Sequence, residues 1–195
     1  MSRHIIPDTT TTDPAATNSV AVLPVGSFEQ HGPHLPLGTD CLIACAIATA
    51  ISQHHNVFRL PPITFGCSHE HAAYPGTVSI SATALAAVIA DITQSLIQQA
   101  VRGLIVVNAH GGNSTALRRA VARLDAEGRA TLIVRCSVPG GDAHAGRSET
   151  SILLAIALSE VPRGKILYRT LFFLPQVTSG LVIALMWKMM YDPKP

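Results

Sequence analysis

The amino-acid sequence predicts an α/β protein of three layers, in which a mostly parallel sheet carries helices on both of its faces. Short apolar runs rich in β-branched residues alternate with longer amphipathic segments. Such runs are typical of strands buried on both faces, and their alternation with helices favours parallel strands. Polar clusters follow three of the predicted strands. Because ligands bind outside the carboxyl ends of the strands in such sheets, we expect the functional residues at that edge.

The elements of the first half begin with a strand at Val20–Val25, which is apolar along almost its whole length. Asp40 is predicted to cap a helix that runs to about residue 53, because an Asp at this position accepts hydrogen bonds from free amides of the first turn. Residues 57–60 are a candidate strand. A polar loop follows at residues 66–77, and long loops in compact domains are usually functional.

The second half continues the alternation. A helix is predicted over residues 82–101 with Gly103 as its C-terminal stop, and Asn113 or Ser114 is expected to cap the next helix, which runs to about residue 128. The remaining predicted elements are strands at 104–107 and 131–134 and a helix from about 148 to 158.

The domain organisation follows from composition. Residues 1–18 are polar and are predicted to form a flexible N-terminal tail, residues 19–160 the domain, and residues 161–195 an atypical C-terminal tail without clean periodicity. A chain of 195 residues can bury one substantial core. A net charge of +2 gives no field for a polyanion, so we expect no nucleic-acid partner. The most apolar windows are shorter than the roughly 18 residues of a membrane span, so we expect no membrane partner.

The four cysteines form no C-x-x-C pair, and the polar N-terminus lacks the apolar core of a secretory signal. We interpret Cys41, Cys45, Cys67 and Cys136 as small buried hydrophobes with reduced thiols. A cytoplasmic location is expected, since thiols stay reduced there.

A candidate metal site follows the first strand. Glu29 and His31 are two residues apart, so on an extended backbone their side chains point the same way. Asp40 lies at the far end of a loop that contains two prolines. Mixed carboxylate and imidazole ligands suit divalent Zn, Mn or Fe, whereas the absence of paired cysteines argues against a structural thiolate zinc.

Four motifs, in order, resemble those of the creatinine amidohydrolase (creatininase) family, and within it the branch of peptidases that mature mycofactocin precursor peptides. They are EQHGPHLPLGTD at residues 29–40, HEH at 69–71 with PGT at 75–77, NAHGGN at 108–113, and HAGRSETS at 144–151. From about Val161 onward the chain does not resemble the family. The resemblance implies an α/β hydrolase with two divalent ions, Zn, Fe or Mn.

The resemblance also implies the roles of individual residues. Glu29 and His110 would hold one ion, His31 the other, and Asp40 both. Creatininases proper carry a glutamate two residues after the histidine that matches His110, where this chain has Gly112. Glu149 is the carboxylate that the motifs offer in its place, as a ligand and catalytic residue; the alternative is a first-turn glutamate favoured by the helix dipole.

Four further residues are assigned around the ions. His144 is predicted to do general acid and base work at the leaving nitrogen, with a supporting role as the alternative. Asn113 would orient ligands or the oxyanion, and His34 would support the loop or pocket. His71, together with its neighbours His69 and Glu70, would either line the pocket or form hydrogen bonds within its loop.

The predicted function is release of the C-terminal dipeptide from a modified mycofactocin-type precursor peptide. Hydrolysis of creatinine or of a formamide is the alternative, but creatininases bind their flat substrate with tryptophans and the one tryptophan here is Trp187. A truncated relative that binds metal without turnover is a further alternative, because of the C-terminal tail. The expected partners are a peptide or small amide substrate and, from the family, further copies of this chain.

Overall fold

The computed structural model describes residues 5–13, 16, 19–128, 149–153 and 156, together with the backbone of a strand at 131–135. The chain divides into two compact units, Met1–Thr150 and Ser151–Pro195. In the second unit residues 151–153 and 156 are described, and they are helical. None of the helices in the described ranges is long and apolar enough to cross a membrane. The predictions for His144, Cys136 and residues 161–195 lie outside the described residues.

The sheet has four parallel strands in the order β2-β1-β3-β4. Their bounds are β1 Val20–Val25, β2 Val57–Arg59, β3 Gly103–Asn108 and β4 Thr131–Arg135. Val20 pairs with Val57 on one side and with Gly103 on the other, and Leu104 pairs with Thr131. The strand order therefore reverses between β1 and β3. In open α/β sheets this switch point is where ligands bind.

Helices cover both faces of the sheet. They are α1 Thr39–His54, α2 Ala82–Gln98 and α3 Ser114–Ala126. Val22 and Val107 pack with Ala44 and Ala48 of α1 on one face. Successive strand residues point to opposite faces, so the neighbouring residues of β1 and β3 pack with α2 and α3 in a second cluster, which includes Ala21, Leu23, Val106, Leu85, Ile89 and Leu117. The predicted three-layer α/β fold is confirmed.

Two predicted helix ends are wrong. Helix α1 begins at Thr39 with Gly38 as its N-cap and no side-chain capping bond, so Asp40 lies inside the first turn and is not the cap. Helix α2 ends at Gln98, and Ala100 then adopts a positive φ of 60°, which turns the chain toward β3. Gly103 is consequently the first residue of β3 and not the helix stop. Local capping rules missed the first because the Asp40 carboxylate contacts Ser27, His31 and His110, and the second because the chain turns at Ala100 before it enters β3.

The cysteines in the described part of the chain agree with their prediction. Cys41, Cys45 and Cys67 are buried and free. Cys67 belongs to the cluster between the sheet and helices α2 and α3.

The end of β1 lies directly against the start of α1. A Cβ added to Gly26 would lie 2.6 Å from Cys41 Cα and 2.8 Å from the carbonyl carbon of Asp40, and it would also collide with Cys41 N. These are main-chain atoms, which a rotamer change cannot move aside. Glycine at this position therefore lets the first turn of α1 approach the segment that carries Glu29 and His31.

Gly26→Ala is expected to lower the free energy of unfolding by about 3 kcal/mol, at the upper end of the cost of overpacking, because the backbone itself must shift. Urea denaturation followed by circular dichroism measures the effect. Gly38→Ala is the matched control, since a Cβ at Gly38 meets nothing within 4 Å. Equal stabilities of the two variants would contradict the close approach at Gly26.

Candidate metal centre

Four predicted ligands lie together at the switch point between β1 and β3. Glu29 and His31 follow β1, Asp40 lies in the first turn of α1, and His110 follows β3. All four are buried, with relative exposures between 0% and 5%. The parallel pairing of β1 with β3 brings His110 to residues that lie about 80 positions earlier in the chain.

The Asp40 carboxylate lies between the two imidazoles. Its Oδ1 is 3.2 Å from His31 Nε2, and its Oδ2 is 3.0 Å from His110 Nδ1. The Ser27 hydroxyl donates a hydrogen bond of 2.8 Å to the same Oδ2. Each oxygen thus faces a different imidazole. The position in the first turn of α1 also favours a negative charge through the helix dipole.

Main-chain carbonyl groups determine which nitrogen of each histidine faces Asp40. His31 Nδ1 is 3.0 Å from the carbonyl oxygen of Glu29, and His110 Nε2 is 2.9 Å from that of Cys67. A carbonyl oxygen accepts hydrogen bonds and cannot donate them, so these two nitrogens carry the hydrogens. His31 Nε2 and His110 Nδ1 are consequently directed at the carboxylates. Metal-binding histidines are typically oriented by such outer hydrogen bonds.

The electrostatics of the site favour positive charge between the carboxylates. Burial by itself lowers the pKa of His110, but the hydrogen bonds to Asp40 and to the Cys67 carbonyl and the charge of Glu29 outweigh it and raise this pKa to about 9. The pKa of His31 is raised in the same way: burial lowers it, and the contact with Asp40 more than reverses this.

The pKa of Asp40 responds in the opposite sense. Burial raises it, but the hydrogen bonds from His110 and His31 hold it well below its usual range. The buried carboxylate therefore stays ionised and requires a compensating positive charge, which protons on the imidazoles or bound cations can supply.

Two sets of donor atoms are compact enough to hold an ion. The first set is Glu29, His31 and Asp40, and the second set is Glu29, Glu70 and His110. The donor atoms of each set lie within 4.8 Å of one another. Oxygen and imidazole nitrogen donors suit divalent Zn, Mn or Fe. The residues present therefore fit a divalent metal centre in which Glu29 belongs to both sets.

Glu149 lies on the His31 side of the centre. Its Oε2 is 3.9 Å from His31 Nε2, the nitrogen that also faces Asp40, and its side chain is 19% exposed. His34 Nε2 lies 3.2 Å from the hydroxyl of Thr150, the next residue. The loop after β1 thus contacts the helical segment that carries Glu149. The supporting role of His34 stays a prediction.

Gly112 has no room for a side chain. A Cβ there would lie 2.5 Å from His110 Nε2 and 3.0 Å from Glu70 Oε1, and it would collide with the Cys67 carbonyl oxygen. A glutamate at this place would displace the carbonyl group that orients His110. From the sequence, Glu70 was predicted either to line the pocket or to form hydrogen bonds within its loop. The structure places it beside the ligands, with Oε1 4.0 Å from His110 Nε2.

Asn113 connects the segments around the site. Its amide donates hydrogen bonds to the Gly26 carbonyl (2.9 Å) and to Asn108 Oδ1 (3.1 Å), and its Oδ1 accepts one from the Cys67 amide (2.9 Å). It is fully buried. Asn113 is the N-cap residue of α3, one of the two residues predicted for this position, but its side chain makes no capping hydrogen bond. These contacts favour a role in orienting the ligand-bearing segments.

Two contributors to the site were not predicted. Ser27 was missed because it precedes the motif at residues 29–40, and its place two residues after β1 was the one available signal. The Cys67 carbonyl was missed because any residue type supplies a main-chain oxygen. His71, which was predicted, lies with Nε2 4.0 Å from Glu29 Oε1. His144 is outside the described residues.

Asn113→Ala is expected to lower the free energy of unfolding by about 3 kcal/mol, because it leaves buried main-chain groups of Gly26 and Cys67 without their partner. The protein should also bind divalent metal more weakly, since the ends of β1 and β3 lose a connection. Urea denaturation and metal analysis after dialysis test the two effects. Gln99→Ala is the control, because Gln99 is exposed. If Asn113→Ala changed stability and metal binding as little as this control does, the role of Asn113 would be contradicted.

Comparisons with known proteins identify the family. The family model of creatinine amidohydrolase (creatininase) matches residues 7–170, a span that takes in part of both predicted tails. The mycofactocin precursor peptide peptidase of Mycolicibacterium smegmatis is 47% identical over 148 residues, which are 73% of this chain and 60% of that protein. The creatinine amidohydrolase of Pseudomonas putida is 30% identical over 105 residues, or 51% of this chain and 40% of that enzyme.

A solved structure supports the fold. A protein described as a putative creatinine amidohydrolase from Bacteroides fragilis superposes with a TM-score of 0.61 at 29% identity, covering 76% of this chain and 66% of its own. The chain spans about 60% of the length of the curated peptidases that it matches.

Proposed function

This chain belongs to the creatinine amidohydrolase (creatininase) family, and we propose that it is a metal-dependent peptidase that releases the C-terminal dipeptide from a modified mycofactocin precursor peptide. The observation that carries the proposal is Asp40, buried with one oxygen toward His31 and the other toward His110. The 47% identity to a mycofactocin precursor peptide peptidase supports the choice of substrate. A cytoplasmic location and assembly with further copies of the chain are part of the same proposal.

The ligands are assigned to two ions of Zn, Fe or Mn. Glu29 and His110 would hold one ion, His31 and Glu149 the other, and Asp40 both. Glu29 also forms a compact donor set with His31 and Asp40, and its 3.3 Å contact with His110 Nδ1 is the reason for assigning it to the first ion. The distances of 3.0–3.3 Å from His110 Nδ1 to Asp40 and Glu29 support the first group. The contacts of His31 Nε2 with Asp40 and Glu149 support the second. Such ions, when bound, lower the pKa of a water molecule and polarise the carbonyl of an amide.

The residues around the ligands hold them in place for this chemistry. The carbonyl groups of Glu29 and Cys67 keep protons on His31 Nδ1 and His110 Nε2, so that the opposite nitrogens face the ions. The Ser27 hydroxyl fixes the rotation of the Asp40 carboxylate. Burial of all four ligands limits access of water to the centre. His144, from its motif, is proposed to give a proton to the leaving nitrogen.

Two other functions compete with this one. Hydrolysis of creatinine is favoured by the 30% identity to a creatinine amidohydrolase, and disfavoured by the closed space at Gly112, where creatininases proper carry a glutamate. A formamide is the other small substrate to be tested. A relative that binds metal but turns over no substrate is the third candidate function.

A substrate panel separates these functions. The purified protein, reconstituted with Zn(II), Mn(II) or Fe(II), is incubated in turn with a modified precursor peptide, creatinine and a formamide, and the products are followed by mass spectrometry. We expect loss of a C-terminal dipeptide from the precursor. Hydrolysis of creatinine or the formamide alone would overturn the peptidase assignment, and bound metal without turnover of any substrate would support the inactive relative.

Asp40→Ala is expected to abolish binding of both ions, because each ion loses the carboxylate that it shares with the other. Elemental analysis after reconstitution and gel filtration should give about two ions per chain for the wild type and close to none for the variant. Glu149→Gln is the comparison, and we expect it to lose about one ion, since Glu149 contacts only the His31 group in this assignment. Full metal content in Asp40→Ala would rule out the bridging role.

A further inference from the structure

His71 lies between the buried ligands and solvent. It ends the short 3₁₀ helix His69–His71, and its Nε2 is 4.0 Å from Glu29 Oε1. The side chain of Glu29 is fully buried, whereas that of His71 is 20% exposed. His71 is therefore a partly exposed imidazole beside a fully buried carboxylate of the predicted metal centre.

Gln30 determines which nitrogen of His71 carries the hydrogen. The main-chain amide of Gly32 donates to Gln30 Oε1 over 3.1 Å, and because an amide N–H can only donate, this contact fixes the orientation of the Gln30 side chain. Gln30 Nε2 then donates to His71 Nδ1, also over 3.1 Å. Since Nδ1 accepts this bond, the hydrogen of the neutral imidazole lies on Nε2, the nitrogen on the side of Glu29.

The pair is held by contacts from both of its segments. The main-chain amide of Gln30 donates to the Thr77 hydroxyl over 3.1 Å, and the amide of His71 donates to the Ser68 carbonyl over 3.0 Å. The ring of Tyr74 lies with its centroid 6.0 Å from that of His71. The Nε2–H donor is thus held in place before any substrate arrives, which is the condition under which a hydrogen bond lowers a reaction barrier most.

We propose that His71 Nε2–H donates a hydrogen bond to the carbonyl oxygen of the scissile amide while negative charge develops there, and that Gln30 is the positioning residue that keeps the hydrogen on Nε2. The inference rests on the proposed function, because it requires amide hydrolysis at this centre. Glu70, on the same 3₁₀ helix, cannot take this role, since an ionised carboxylate has no hydrogen to donate and repels negative charge. His71 is therefore a catalytic residue and Gln30 acts through it.

The first test compares kinetics in the metal-loaded full chain, on the amide that the wild type hydrolyses in the substrate panel. His71→Leu is expected to lower kcat by about 10²- to 10³-fold, the usual effect of losing one donor to an oxyanion, with KM and metal content unchanged. His71→Gln, which offers an amide N–H at a similar reach, should recover part of the loss. The exposed His54, changed to Leu, is the control and should keep wild-type kcat.

Gln30 is tested by the double variant. Gln30→Met should lower kcat by about tenfold, and Gln30→Met with His71→Leu should lose no more than His71→Leu alone, because residues that act through one group are not additive. A multiplicative loss would overturn the role of Gln30.

A spectroscopic readout that does not depend on turnover completes the test. The ¹⁵N spectrum of the zinc-loaded protein, with the His71 signals assigned by comparison with His71→Gln, should show hydrogen on Nε2 in the wild type and a mixture of tautomers in Gln30→Met. Hydrogen on Nδ1 in the wild type would overturn the proposal. If the wild type hydrolyses no amide, the proposed function and the role of His71 fail together. If it is active and His71→Leu keeps its kcat, the role of His71 alone fails.

Discussion

The position of the Asp40 carboxylate between two imidazoles is the constraint on which the rest of the structure depends. A buried carboxylate is costly unless positive charge compensates it. Asp40 is almost fully buried, and its compensation comes from side chains that follow two different strands. The pairing of β1 with β3, the close approach of α1 and the hydroxyl of Ser27 all contribute to this one arrangement. The fold thus brings together charges that are separated in the sequence and unfavourable to bury alone.

The precision of the centre comes from main-chain groups and small residues. Carbonyl oxygens of Glu29 and Cys67 orient the two histidines. The side-chain amide of Asn113 connects the Cys67 segment to the end of β1 by hydrogen bonds. Gly112 leaves the space in which the Cys67 carbonyl reaches His110. The carboxylates of Glu70 and Glu149 approach the two histidines from other segments, at 4.0 Å from His110 Nε2 and 3.9 Å from His31 Nε2.

The sequence predicted the fold better than it predicted the ends of its elements. The apolar runs located all four strands to within a residue or two, most clearly the buried central strands β1 and β3, because a strand buried on both faces must be apolar throughout. The capping role of Asp40 was wrong, since it is the second residue of α1 and its carboxylate contacts Ser27 and the two histidines. Capping rules consider a helix end alone, whereas here residues from other segments determine what the Asp40 side chain contacts.

The sequence by itself determined the fold class, the family and the residue types that meet at the centre, because hydrophobic periodicity and motif spacing are local properties of the chain. The tertiary structure decided how those residues act. It gave Asp40 one oxygen toward each imidazole, selected the nitrogens of His31 and His110 that face it, and placed Glu70 Oε1 4.0 Å from His110 Nε2. It also gave Gln30 its contact with His71. These features depend on distances between segments that lie far apart in the chain, and such distances exist only after the strands have paired.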